Sequence, residues 1–329
     1  MALYTVHMQR SLKIGVVMGG PSSEHDVSLE TGKNVVRALE SLGHDVSPVY
    51  VAHSGNWFLG SVRGVAYDPQ SVCSRFDVMF NALHGEYGED GRVQQIFEQH
   101  RVPYTGSGIA ASAFAINKVI AREIFKNTGL TVPRAVMVRK DEFNTQHLKD
   151  THQMSAPPWV VKPASRGSSV GVSIVMTFEE LAKALEYAFT FDTLALVEEY
   201  INGREMTCGV LENFDNKRHY ALHPVEIIPP EGRFFDYEVK YNGATKEIPA
   251  PFFGEMLRRV QQTAVAAHTA LGCRHYSRTD MIIKGTKIYV LETNTLPGLT
   301  TESLFPKAAS WAKLEFPQLC EHLVRLAIN

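Results

Sequence analysis

Arg278-Thr279-Asp280-Met281-Ile282-Ile283 is an apolar run with charge at its start, and Lys287-Ile288-Tyr289-Val290-Leu291-Glu292-Thr293-Asn294-Thr295-Leu296-Pro297-Gly298 is a second one. Lys284-Gly285-Thr286 between them is a turn signal, so the stretch predicts an antiparallel hairpin. Side chains alternate faces along a strand, which puts Arg278 and Asp280 together on the first strand and Glu292 and Asn294 together on the second. The same alternation predicts that Leu291 and Thr293 are buried. If the two polar faces coincide, three oxygen donors and one guanidinium converge.

Hard oxygen donors at that density suit Mg²⁺, which takes one or two carboxylates and completes its shell with water and nucleotide phosphates. The competing reading is a solvated strand face with charges paired across the hairpin. Asn294-Thr295-Leu296-Pro297-Gly298 adds a tight turn able to present backbone N–H groups.

Composition bounds the rest. At 329 residues the chain exceeds a usual single core, so two or three domains are expected, and 44% hydrophobic content can fill them. Lys plus Arg at 33 against Asp plus Glu at 35 gives a net charge of -2, which lacks the basic footprint of a nucleic-acid binder. Cys73, Cys208, Cys273 and Cys320 are far apart with no CxxC pair, which argues against a disulfide framework and a zinc site and fits a reducing compartment. Met1 to Leu12 has no hydrophobic leader segment and no apolar run reaches the length of a bilayer span, so a cytoplasmic location with no membrane partner is expected.

Taken in order, Lys13 to Met18 reads as a strand, Gly19-Gly20 as a turn, and Val27 to Leu39 as a helix. Strands at Asp45 to Val51 and Val78 to Leu83 make the opening third an open α/β unit, where ligands gather at strand C-termini. Two glycine-rich turns sit there, Gly19 to Asp26 and His84 to Gly91. Each is equally explained by helix capping or turn chemistry. Helices are predicted at Ala110 to Phe114, from Lys118 to Asn127, at Phe178 to Phe189, Glu255 to Leu271 and Phe316 to Ile328. Strands are predicted at Pro133 to Val138, Trp159 to Pro163, Ala195 to Glu199, Met206 to Leu211 and Tyr220 to Ile228. Ala164 to Val172 carries two glycines and three serines beside Lys162, free backbone and hydroxyl groups that suit a phosphate, although the spacing is not a Walker P-loop. Pro229 to Pro251 reads as a long irregular segment, and its aromatic run Phe234 to Tyr241 suggests a folded lid.

Together, Gly19 to Ser28, His84 to Gly91, Lys162 to Gly171, Lys240-Tyr241, Arg278 to Asp280 and Glu292 to Gly298 resemble the D-alanine:D-alanine ligase family of the ATP-grasp superfamily, in order and over nearly the whole chain. The resemblance implies an α/β, three-domain ATP-grasp architecture: an N-terminal open α/β domain at 1–107, a small central α+β domain at 108–201, and a C-terminal α+β catalytic domain at 202–329 with a lid at 229–251. It implies ATP-dependent ligation of two D-alanines through an acyl phosphate, for peptidoglycan precursors and hence cell wall and shape. ATP and two Mg²⁺ ions, with Mn²⁺ able to substitute, are the implied cofactors. Partners are expected to be small molecules alone, in a homodimer.

The resemblance also implies residue roles. Lys118 and Lys162 would hold the ATP phosphates, with Ser168 and Ser169. Glu198 and the Ile201 backbone would read adenine, Glu205 the ribose, and Phe234 and Lys240 would complete the ATP site. Asp280, Glu292 and Asn294 would hold metal. Glu24 would take the first D-alanine's ammonium, with Val27 alongside and His84 near its carboxylate, while Ser168 and Tyr241 would tie the lid to Glu24. Arg278 and the Gly298 N–H would form an oxyanion site, and Ser303 with Leu304 would take the second carboxylate. Asn117, where the family usually has Asp, and Gln95, where it often has Gly, depart from the pattern. A different carboxylate–amine ligase of the superfamily and a non-catalytic ATP-binding relative are the alternatives. The second should have lost an acid or the arginine, and Arg278, Asp280, Glu292 and Asn294 are all present.

Overall fold

A computed structural model describes residues 10–61, 64–165, 167, 170–229 and 245–329. The first sheet holds β1 (Lys13–Gly19), β2 (Asp45–Val51), β3 (Trp57–Leu59) and β4 (Val78–Asn81) in the order β3-β2-β1-β4. Parallel pairing of β1 with both β2 and β4 requires cover on both faces, which is why these strands are almost continuously apolar. Ile14, Val16 and Met18 point to one face, Val17 to the other. The first face is covered by α1 (His25–Ser41) and the second by α2 (Pro69–Cys73) and α3 (Arg92–Gln99).

After α4 (Ile109–Ile116) and α5 (Lys118–Asn127), an antiparallel sheet forms from β5 (Ala135–Arg139), β6 (Trp159–Pro163), β7 (Ser173–Val175) and β8 (Leu194–Glu199), ordered β5-β8-β6-β7. Trp159, Val161 and Val197 pack with Leu181 and Leu185 of α7 (Phe178–Ala188), and α6 (Thr145–Met154) covers the same side. Val160, Lys162 and Glu198 therefore face the other way, into a cleft.

The third sheet contains β9 (Arg204–Phe214), β10 (Lys217–Ala221), β11 (Val225–Ile228), β12 (Lys246–Pro249), β13 (Tyr276–Lys284) and β14 (Lys287–Asn294). Its order is β12-β11-β9-β13-β14, with β10 also on β9. Two sequence expectations change here. The strand expected at Tyr220 to Ile228 is broken at Leu222–Pro224, because β10 ends with Ala221 opposite Val210 and β11 starts with Val225 opposite Thr207. Four steps on one chain span three on the other, so an extra residue is bulged out beside a proline that has no N–H to donate. Part of the segment expected to be irregular is β12, an edge strand whose charges and proline hid its pairing with β11.

Two packing relations cross the sheets. Ala115, Ala121 and Phe125 of α4 and α5 join the core between the third sheet and α8 (Gly254–Leu271), so these helices pack there rather than on the second sheet. After α9 (Leu304–Trp311), α10 (Phe316–Ile328) returns to α1 and the first sheet, burying Leu319, Leu323 and Val324. His44 reaches Glu321 of that helix at 2.6 Å and ties it to the turn after α1, while Arg325, one turn on in the same helix, holds the other carboxylate oxygen at 2.6 Å. Among the described residues no helix is long and apolar enough to cross a membrane.

Leu323 is fully buried between the chain's last helix and its first sheet. Leu323→Ala is expected to lower the unfolding free energy by about 2–5 kcal/mol, the range for a buried leucine whose cavity does not collapse. Urea denaturation checks it, and a loss below about 1 kcal/mol would mean that α10 docks only loosely.

Candidate active site

The hairpin forms in the register that brings its polar groups together: Arg278 lies opposite Asn294, Thr279 opposite Thr293 and Asp280 opposite Glu292. Below Asp280 the pairing slips, so that Met281 lies opposite Val290 and Leu291 is extra. This bulge corrects the expectation that Leu291 is buried. Ile288 and Val290 point to the core, and unbroken alternation would send Glu292 after them. The extra residue reverses the parity, turns Glu292 to the cleft and leaves Leu291 lining it.

Two carboxylates directly opposite each other repel unless cations and donors meet them. Asp280 accepts from Arg278 Nε and Nη2 at 3.0 and 2.9 Å and from the Thr207 hydroxyl at 2.5 Å. Burial opposes the Arg278 charge, but Asp280, with Glu292 and Glu89 behind it, more than restores it and raises the guanidinium pKa. Glu292 is met by Lys118 Nζ at 2.7 Å. Asn294 Oδ1 accepts from the Leu296 N–H at 2.9 Å, which closes the turn toward Gly298 and leaves a lone pair on the amide oxygen.

Across the cleft, Glu198 is buried between two cations, Lys162 Nζ at 2.8 Å and Arg122 Nη1 at 2.8 Å. A buried carboxylate needs such pairing, and Arg122 also donates to the Pro133 carbonyl at 2.6 Å. The cleft between the second and third sheets has a volume of about 410 Å³. Lys118, Lys162, Glu198, Ile201, Glu205, Asp280 and Glu292 line it together with the apolar Val160, Ile174, Ile227 and Ile282. Apolar walls combined with several charged groups suit a flat ring joined to a polyanion.

The hairpin's upper end meets the first sheet. His84 Nδ1 lies 3.1 Å from the Leu296 carbonyl and Nε2 lies 2.9 Å from the Thr31 hydroxyl, so the imidazole joins the two regions. Glu24 sits at the start of α1 with its carboxylate near Gly85 and Gly167, where an added Cβ would lie 2.9 and 3.6 Å from Oε2. Val27 is half-buried on the first turn of that helix. Glu89 accepts from the Gly85 N–H at 2.9 Å. Burial, and then the Glu24 charge, push the Glu89 pKa up to about 8 against the pull of that N–H and of Arg278. Ser303 precedes α9 but does not cap it, because its hydroxyl is held by the Thr300 N–H and hydroxyl at 3.1 and 2.8 Å. A Cβ on Gly298 would come within 2.8 Å of that hydroxyl, so a side chain there would displace Ser303 from its bonds to Thr300.

The candidates thus divide into a cleft group, Lys118, Lys162, Glu198, Ile201, Glu205, Asp280, Glu292 and Asn294, and a group beside the first sheet, Glu24, Val27, His84, Arg278, Gly298, Ser303 and Leu304. Ser168, Ser169, Phe234, Lys240 and Tyr241, with most of the expected lid, lie outside the described residues.

Comparison with known proteins decides what this arrangement belongs to. The family described as D-ala D-ala ligase matches with its N-terminal model at residues 13–68 and 63–107 and with its C-terminal model at residues 124–325. The chain belongs to the D-alanine–D-alanine ligase family. A D-alanine–D-alanine ligase from Geobacter sulfurreducens is 43% identical over 304 residues, 91% of this chain and 89% of the relative. One from Syntrophobacter fumaroxidans is 40% identical over 97% of this chain and 98% of its own. Among solved structures, the VanG D-Ala:D-Ser ligase from Enterococcus faecalis superposes with a TM-score of 0.85 at 31% identity, covering 97% of this chain and 100% of that one. A Bacillus anthracis D-alanine–D-alanine ligase complexed with ATP gives 0.80 at 31% identity, over 97% and 98%. The architecture is accordingly the three-domain ATP-grasp fold.

The two departures from the ligase pattern have local explanations. Asn117 caps α5 by accepting from the Val119 and Ile120 N–H groups, both at 3.1 Å, a task that Asn and Asp perform about equally. It thereby fixes the helix start that carries Lys118. Gln95 lies on the exposed side of α3, away from the cleft.

Sequence reading missed three groups in this ligase-family site: Arg122, Thr207 and Glu89. Arg122 sits four positions after Lys118 on α5, a spacing that puts both on one helix face and could have raised it. Thr207 gave no signal, since only the pairing of β9 with β13 places it opposite Asp280. Glu89 was visible as part of an acidic turn, but its burial was not.

The raised Glu89 pKa has a definite sign for stability. The unfolded group loses its proton near 4.5 and the folded one near 8, so between these values the folded chain alone stays protonated and unfolding becomes easier as pH rises. The stability difference between the unsubstituted chain and Glu89→Gln, which does not titrate, is expected to fall from pH 5 to pH 8 by up to about 1.4 kcal/mol per pH unit. Denaturant titrations across that range test this. A difference independent of pH would show that Glu89 is ionised throughout.

Proposed function

We propose that this chain is an ATP-dependent ligase that joins two D-alanines into D-alanyl-D-alanine through an acyl phosphate, releasing ADP and phosphate, as a step in peptidoglycan precursor synthesis. The observation that carries the reading is the facing pair Asp280 and Glu292 at the mouth of a cleft lined by Lys118 and Lys162, in a chain whose relatives bear that activity in their names.

The donor set fits divalent magnesium: two carboxylates and an amide oxygen on one strand face, already drawing Lys118 and Arg278 as cations. Asp280, Glu292 and Asn294 would hold the metal, two ions in the full reading and Mn²⁺ in place of Mg²⁺. Bound there, it would supply positive charge against the nucleotide's phosphates.

The chain's own residues then have these tasks. Lys118 and Lys162 neutralise phosphate oxygens, with Ser168, Ser169 and Lys240 in the roles the family pattern gives them. Glu198, the Ile201 backbone and Phe234 hold the base, and Glu205 the ribose. Glu24 holds the first D-alanine's ammonium, beside Val27, while His84 orients its carboxylate. A carboxylate oxygen of that substrate attacks the terminal phosphorus and ADP leaves. Because anion attacks anion, lysine and arginine charge must be in place beforehand. The second D-alanine, its carboxylate on Ser303 and the Leu304 N–H, loses its ammonium proton and attacks the acyl carbon. Arg278 and the Gly298 N–H receive the oxyanion, and phosphate departs. Ser168 and Tyr241 close over Glu24 and exclude water that would hydrolyse the acyl phosphate. Domains at 1–107, 108–201 and 202–329, a lid at 229–251, a homodimeric assembly and a cytoplasmic location complete the reading.

The test is phosphate release from ATP with Mg²⁺ and either D-alanine or L-alanine, with the dipeptide identified by mass. Release with D-alanine alone is expected, and Glu292→Gln should reduce it by far more than tenfold while the far-ultraviolet dichroism is unchanged. Turnover of Glu292→Gln within about tenfold of the parent, some 1.4 kcal/mol, would remove Glu292 from the site. With equal D-alanine, D-serine and D-lactate at pH 7, D-alanyl-D-alanine should dominate, and mainly ester product would contradict the acceptor assignment.

A further inference from the structure

On the opposite face of the third sheet from Asp280 lies a second cluster of potential ligands. Thr207 points into the cleft, so Glu212, five positions along β9, points the other way, toward α8, at about 17 Å along the strand. His219 of β10 is its direct cross-strand partner, and His219 Nε2 lies 3.5 Å from Glu212 Oε1. His268, on the buried face of α8, puts its own Nε2 3.5 Å from the same oxygen. The three ligand atoms all lie within 4.8 Å of one another. In a tetrahedral shell with bonds of about 2.0–2.1 Å, neighbouring ligand atoms stand roughly 3.4 Å apart.

Hydrogen bonding sharpens the case. His268 Nδ1 lies 2.8 Å from the Ser277 hydroxyl, while its Nε2 is fully buried and has no hydrogen-bond partner. With Nδ1 donating to Ser277, the Nε2 lone pair faces a carboxylate oxygen at ion-pair range, acceptor against acceptor. A proton between one imidazole and the oxygen would serve a single pair, whereas a cation serves both imidazoles and the carboxylate at once. We propose that Glu212, His219 and His268 form a site for a divalent transition-metal ion of the zinc type, with solvent as the fourth ligand.

The surroundings support this. Imidazole nitrogen selects Zn²⁺ or Co²⁺ over Mg²⁺, so the site is chemically separate from the oxygen-only cleft. Ser277 supplies the outer-shell partner that metal-binding histidines usually have. Glu212 Oε2 accepts from the His275 N–H at 2.7 Å, which fixes the carboxylate and leaves Oε1 to the two imidazoles. The Glu212 and His219 side chains are each 19% exposed, and a surface depression of about 400 Å³ reaches His219 between β10 and α8, giving a path of entry. A bound ion would pin β9, β10 and α8 to one another.

The test uses the full chain, stripped with chelator and then given Zn²⁺ or Co²⁺ in excess Mg²⁺, with metal content after desalting, the visible absorption of bound Co²⁺ and the melting temperature as readouts. Retention of a single equivalent, intense tetrahedral-type Co²⁺ absorption and a Zn²⁺-induced rise in Tm are expected. In His219→Ala, or His219→Gln if alanine disturbs the edge strand, affinity should fall by more than about tenfold, since even outer-shell losses cost that much. Glu292→Gln, in the other site, should still retain the metal. The proposal is overturned if no Zn²⁺ survives excess Mg²⁺, or if retention is lost in Glu292→Gln and kept in both His219 variants.

Discussion

Asp280 and Glu292 stand directly across a hairpin from each other, and like charges in that position push strands apart. Much of the described structure near them serves to hold that pair. Arg278 comes from the same strand as Asp280, Thr207 from the neighbouring β9, and Lys118 from the start of α5, a helix that packs in the core of the third sheet. A β-bulge at Leu291 turns Glu292 to face its partner at all. Such concentration of anions with engaged cations is poorly explained as stabilisation, because apolar residues would pack there more cheaply. Under the proposed function it is a charge pattern matched to metal and phosphate.

The opposite wall repeats the device. Glu198 is buried and clamped by Lys162 and Arg122, so the second sheet presents a lysine held in place by a carboxylate that is itself held. Lys162 arrives at the cleft already oriented, which under the proposed function lowers the ordering cost of gripping a phosphate. At the third corner, Glu24 and Glu89 both lie near Gly85, and burial first and the Glu24 charge second raise the Glu89 pKa. A cationic ammonium entering there would meet acceptors already in position.

The hairpin was legible because its pattern is local: alternating charge, a Gly-containing turn and β-branched residues all agree. Whether the two polar faces coincide was left open by that pattern, because the register that puts Asp280 opposite Glu292 depends on the bulge, and Leu291 looks like any other core residue in a strand. The three parallel strands β1, β2 and β4 were legible because a parallel sheet covered on both faces demands apolar runs, whereas the short antiparallel β3 was not anticipated. Edge strand β12 was hidden by Lys246, Glu247 and Pro249, the same features that protect an edge from pairing with other chains. Of the cleft lysines, Lys162 was legible from the glycine- and serine-rich loop beside it, whereas Lys118 came from family likeness. Arg122, Thr207 and the docking of α10 on the first sheet depend on contacts between distant parts of the chain, which periodicity does not encode.

The central claim is that the Asp280–Glu292 pair exists to receive a metal-bound nucleotide, and the dependence of ATP affinity on Mg²⁺ tests it most directly. Calorimetric titration with and without Mg²⁺ should show ATP binding weakened by at least about tenfold, or 1.4 kcal/mol, when the metal is withheld, because two carboxylates then face the phosphates. In the Asp280→Asn, Glu292→Gln double variant the two affinities should converge. Equal ATP affinity with and without Mg²⁺ in the unsubstituted chain would contradict the account.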